Sequence, residues 1–187
     1  MSGGHGHIEG SNKNIAILIA FLAALLAISE VGAKSSQTAV LAEHIESSNL
    51  WNFYQAKTIR QTILRTSADS IEAQYKETGN APAPLAAQAA AWKRTAERYE
   101  SEPRTGKGEG RKELMARAIA HEKHRDNARS AYHLFEYGSA ALQLAIVLAS
   151  AAAVTTVMWL AFVACGLGIV GSAFAAIGFL APTLIHL

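Results

Sequence analysis

The chain has 187 residues, a formal net charge of +2, half its residues hydrophobic and only 7% aromatic. So small a charge excess, with no basic motif interleaved with aromatics, leaves no footprint for nucleic acid. Cys165 is the single cysteine and has no intrachain disulfide partner. The apolarity rests on alanine and the aliphatics, which suit helices better than strands.

In chain order, residues 1–13 form a polar tail. Its His5 and His7 could hold a metal only weakly, and a flexible tail is the default. Residues 14–33, NIAILIAFLAALLAISEVGA, contain one acid and no base. A membrane crossing needs ~20 apolar residues, so this run is one span. Lys13, the run 15–28 and the small residues Val31-Gly32-Ala33 also have the layout of a secretory signal. Glu30 beside that cleavage position argues for a retained span. An acid inside a span is a candidate for ion or proton movement. Here Lys34 follows one turn on, in the favourable acid-before-base order, and an interfacial ion pair is the preferred reading.

Residues 34–137 form an extramembrane segment that reads as helix almost throughout. No proline or glycine interrupts 34–78, so the first span should run on into the polar region. GNAPAP then stops it, with Gly79 suited to a helix end and Pro84 to a first turn. Further helices are expected over 85–102 and from 111, separated by the loop EPRTGKGEG. The outgoing and returning lengths match, which predicts an antiparallel, coiled-coil-like arm. On the outgoing helix Leu41, Ile45, Asn52, Ala56, Ile59 and Ile63 share an arc of roughly 60°. This stripe is expected to pair with the returning helices, although Asn52, Gln55, Thr62 and Asp69 spoil the heptad count that runs through Asn52.

The stretch NLWNFYQAKTIRQ carries the densest aromatic cluster. Trp51 lies ~27 Å of helix beyond the span, too far for an interfacial girdle. Leu50, Trp51, Phe53 and Tyr54 point away from the aliphatic stripe and from one another, so the helix is apolar nearly all round and should be surrounded by partners. Pairing by distance from the membrane puts Trp51 near residue 119, where Ala116, Ala118 and Ala120 could admit large rings. It also puts Lys57 opposite Glu113 as an interhelical ion pair. Gln55, Lys57 and Arg60 complete the packing block. The uncovered faces point to a homo-oligomer, the alternative being a core closed by 85–102 within one subunit.

Residues 138–181 contain no charged side chain and are long enough for two spans, 138–157 and 160–181. Thr155, Thr156 and Trp159 mark the reversal, and Tyr137 is an interfacial anchor. Gly166, Gly168 and Gly171 spell a dinucleotide fingerprint, but with no strand before it the pattern carries no such function. Ala164, Gly168, Ser172 and Ala176, small residues at every fourth position, instead suit helix packing in lipid. TGKGEG lacks the spacing of a phosphate loop, and His121-Glu-Lys-His124 is one residue short of the zinc-protease helix motif. No nucleophile–base set is evident, and no cofactor is expected.

NLWNFYQAKTIRQT, YESEPRTGKGEGRKELMARA, LQLAIVLASAAAVTT and the His-bearing tail together resemble an uncharacterised bacterial family of small three-span membrane proteins, a domain-of-unknown-function family. The resemblance covers nearly the whole chain and implies a helical membrane protein without an assigned activity. Members commonly carry basic residues in the last turn, where this chain has Thr155, Thr156, Val157 and Met158. Lys34, Lys123, Arg125 and Arg129 against Lys13 alone put the arm on the cytoplasmic side by the positive-inside rule. The family's basic turn argues the opposite.

The expectation is therefore an all-α inner-membrane protein, non-enzymatic, that self-associates through arm and spans and extends to docking a larger membrane complex. The alternative is a small oligomeric channel or transporter accessory using Glu30 and the glycine-bearing third span.

Overall fold

The computed structural model describes residues 6–76, 79, 81–103 and 108–184, with side chains from Lys13 onward. His5 and the Thr105–Lys107 part of the glycine loop lie outside the described residues, as does the side chain of His7. The described residues form four helices and no strand: α1 (Gly6–Tyr75), α2 (Ala83–Glu100), α3 (Arg111–Thr155) and α4 (Met158–Leu180).

Local chemistry sets these limits. α1 passes from the apolar run into the polar region as one helix, since its only glycines lie near its start and at Gly32. It ends where Gly79, at φ +91°, donates its N–H to the Tyr75 carbonyl at 3.2 Å, satisfying an end carbonyl in a backbone conformation that suits glycine. α2 starts on Pro82 with Pro84 in its first turn, where a missing N–H costs nothing. α3 carries Glu113 in its first turn, favourable for the helix dipole. Only Thr156 and Val157 separate α3 from α4, and Thr156 takes a left-handed φ of 61° to make the reversal.

The chain divides into two units. The apolar unit is built from α1 up to Leu41, α3 from Arg125, and α4; the polar unit is Ala42–His124. Three helices, α1, α3 and α4, are long and apolar enough to cross a membrane. Within the apolar unit the packing inverts the habit of water-soluble domains. Ala145, Ala149, Ala152, Ala161 and Ala164 lie inside with Ile15, Leu22 and Leu142, while Phe21, Ile28, Leu144, Phe162 and Phe179 face outward. Small residues inside let backbones approach, and large apolar ones outside suit contact with lipid.

The inner face of α1 has one spacing. Ile15, Ile19, Leu22, Leu26, Ser29, Ala33, Ser36, Val40 and Glu43 are each buried or partly buried. So are Ser47, Leu50, Tyr54, Lys57, Gln61, Leu64, Ala68, Ile71 and Tyr75. Alternating steps of four and three make this an unbroken heptad seam. It corrects the expected stripe. Leu41 (59% exposed), Ile45 (51%), Ile59 (62%) and Ile63 (58%) lie outside the seam, together with exposed Asn52. The aliphatic residues were the visible ones, but the chain's own packing uses a register whose occupants include serine, glutamine and lysine.

Candidate functional site

The polar unit is fastened by a clasp around Arg111, the first residue of α3. Its guanidinium donates to Thr58 Oγ1 at 2.9 Å, Gln61 Oε1 at 2.6 Å, Glu100 Oε2 at 2.9 Å and Tyr54 Oη at 2.9 Å. It also lies 4.9 Å from the Tyr54 ring centroid. Gln61, buried on α1, donates its amide to the Ala96 carbonyl at 2.8 Å and to Glu100 Oε2 at 3.0 Å. One planar cation thus binds α1, α2 and α3 together, which a lysine's point charge could not do. The Gln61 hydrogen bond, then the Arg111 charge, hold the Glu100 carboxyl below its ordinary range against the opposing effect of burial.

Lys57 sits one turn from this clasp and is 5% exposed. Its ammonium lies 5.2 Å from the Phe53 ring and 5.4 Å from the Tyr99 ring, with Glu102 at 3.9 Å and Glu109 at 4.0 Å. The expected partner Glu113 is elsewhere. It accepts from Ser101 Oγ at 2.6 Å and from the Glu102 N–H at 3.3 Å, fixing the turn into α3. Those contacts, the Ser101 bond first, lower its pKa. The reason for the misassignment is rotational. Glu113 lies ~200° around the helix from Arg111, and once Arg111 faces α1, Glu113 cannot.

Further along, Leu50, Leu114 and Ala118 form a small core against which Trp51 and Tyr54 pack, the two rings meeting edge to face at 5.5 Å. Trp51 Nε1 donates to Glu122 Oε1 at 2.9 Å, three residues from the position expected by equal distance. Glu43 bonds His121 Nδ1 at 2.6 Å. Phe53 is only moderately covered, and Gln55 and Arg60 are exposed. The aromatic block is therefore clothed on one side by its own chain. Arg111, Gln61 and Glu100 were missed in the sequence, and a basic residue opening a helix directly after a glycine-rich loop was the available signal.

In the apolar unit the close contacts centre on glycines. A Cβ on Gly138 would stand 2.9 Å from the Gly171 carbonyl oxygen, and one on Gly171 would stand 2.8 Å from that of Gly138. The buried Phe135 ring fits between Gly32 of α1 and Gly178 of α4, where added Cβ atoms would lie 2.7 and 3.1 Å from it. The expected small-residue line is corrected here. Ala164 and Gly168 are buried, Ser172 is partly covered and Ala176 is exposed; the buried line is Ala161, Ala164, Gly168, Gly171, Ala175 and Gly178. A strict four-residue step drifts ~40° per step around a helix, whereas alternating threes and fours keep to one face.

Glu30 is also placed differently from expectation. Its exposed carboxylate accepts from Gln143 Nε2 at 3.5 Å rather than joining Lys34. It borders a cavity of about 300 Å³ with Tyr132, Glu136, Ser139 and Gln143. Behind it, Ser139 donates to Ser29 Oγ at 3.0 Å, and the fully buried Ser29 donates to the Phe135 carbonyl at 3.1 Å.

Three apolar helices with a separately cored polar unit define an all-helical protein with the means to span a membrane. Residues 11–181 match the family described as domain of unknown function DUF4337, and the chain belongs to that family. No curated protein and no solved structure matches it.

Proposed function

We propose that this is a non-enzymatic structural protein of the bacterial inner membrane that self-associates and holds its polar unit ready to dock a larger membrane complex. The observation that supports the reading best is how the polar unit uses its chemistry. Arg111, Glu100, Gln61 and Tyr54 are engaged with one another or with backbone, and Lys57 with the Phe53 and Tyr99 rings, joining α1, α2 and α3. Groups committed to mutual contacts build a rigid unit, and the outer face of α1 retains large exposed aliphatics. By the positive-inside rule, Lys34, Lys123, Arg125 and Arg129 support a cytoplasmic polar unit. Purification in mild detergent, with the particle's mass measured and copurifying chains identified, tests the reading. A defined multimer supports it, and a lone monomer contradicts it.

The cavity beside Glu30 favours a second reading, a small oligomeric channel or transporter accessory. Two carboxylates, two hydroxyls and an amide around one cavity are oxygen donors suited to a passing cation. Loss of ion flux in liposomes on Glu30→Gln, with assembly intact, would select that reading over the first.

A further inference from the structure

We infer that the outer face of α1 in the polar unit is the interface for a second copy of this chain, paired in parallel about a two-fold axis. The inference rests on the self-association proposed above and names the surface that carries it.

The face is Ile45, Asn49, Asn52, Ala56, Ile59 and Ile63. Ile45, Ile59 and Ile63 are 51%, 62% and 58% exposed, Asn49 and Asn52 are exposed, and Ala56 is partly covered. The steps between these residues are four, three, four, three and four, a heptad seam in its own right. On a helical wheel it lies about 150° from the seam that contains Leu50, Tyr54, Lys57 and Gln61. α1 is thus two-faced: one seam is filled by α2 and α3, and the second is uncovered.

Three features identify the occupant. First, the face carries no charge. The acids of α1 in this unit, Glu43, Glu46, Asp69 and Glu72, all lie on other sides of the helix, and Arg60 alone borders the face. An identical face can meet it without like-charge repulsion. Second, Asn49 and Asn52 sit mid-face, and an amide both donates and accepts, so it can pair with its own copy across a two-fold axis. A polar residue at a seam position also fixes register and strand number at some cost in stability. Third, the face lies on the same unbroken helix as the first apolar run. Two copies inserted alike present α1 in parallel, which sets Asn52 against Asn52. With three isoleucines the seam is a weak one in free solution, but anchoring in one bilayer raises the effective concentration of one copy for another.

The test uses the full chain in native membranes, with Cys165→Ser as background. Asn52→Cys should give a disulfide-linked dimer on mild oxidation, while His44→Cys, exposed but ~100° off the face, should crosslink far less. Ile59→Lys, a change at an exposed site, should retain the helical signal and weaken the dimer by roughly tenfold or more. The inference is overturned if Asn52→Cys crosslinks no better than His44→Cys, or crosslinks to a different protein. A multimer that persists unchanged with Ile59→Lys removes this face and leaves self-association standing; a monomeric native particle removes both.

Discussion

The apolar and polar units share one seam spacing along α1 but hold their helices by opposite means. In the apolar unit contact comes from what side chains lack: Gly138 and Gly171 bring two backbones together, and Gly32 and Gly178 leave room for one ring. In the polar unit contact comes from what side chains carry, a guanidinium that joins four partners. The difference is what lipid around the apolar helices and water around the polar ones would produce. In lipid there is no hydrophobic drive between apolar helices, so close packing must supply the attraction. In water the polar helices bury little aliphatic surface, and directional bonds to a planar cation supply cohesion and register together.

The largest effect that would break this contrast is expected at Phe135. Phe135→Ala empties a ring-sized socket between α1, α3 and α4 and should cost about 3–5 kcal/mol, seen as early thermal unfolding in detergent. Gly171→Ala comes next, because its methyl would meet the Gly138 carbonyl, and about 1–3 kcal/mol is expected. Gly166→Ala, with nothing within 4 Å, should be silent in the same assay. Helix propensity favours alanine over glycine at both sites, so equal damage at both would show that the close approach at Gly171 does not govern the unit.

Arg111→Lys sharpens the polar side. It keeps the charge but cannot keep four directed bonds, so a loss of about 1–3 kcal/mol should appear in the polar unit. The smallest effect is one of pH. Glu100 and Glu113 have lowered folded pKa values, so their contribution is present above the ordinary carboxylate range and is lost as pH falls through the folded values. Acid should therefore loosen the polar unit first, visible as faster amide exchange in Ala83–Glu100 than in Met158–Leu180. Residues 138–181 hold no Asp, Glu, Lys, Arg or His to titrate.

Much of this was legible in the sequence. The four helices follow from uninterrupted apolar and alanine-rich runs, and their ends from Gly79, Pro84 and the loop before Arg111. Equal helix lengths put the partner of Trp51 near residue 119, three positions from Glu122. The seam was not legible, because Ser29, Ser47, Lys57 and Gln61 occupy positions where apolar residues are sought. Lys57 is buried by rings from two helices and by two carboxylates, a set that no single segment displays. Glu113 was misassigned because equal distance fixes height along a helix but not the direction in which a side chain points. The Ser29–Ser139 bond joins residues 110 positions apart, each an unremarked hydroxyl within its own apolar run.

Gln61 and Arg111 form the chain's own clasp between α1 and α3. A double-mutant cycle with Gln61→Leu and Arg111→Met, read by denaturant unfolding of the full chain, tests it directly. A coupling of about 1 kcal/mol or more between the two sites is expected. Strict additivity of the two losses would mean that Gln61 and Arg111 act independently and no clasp joins them.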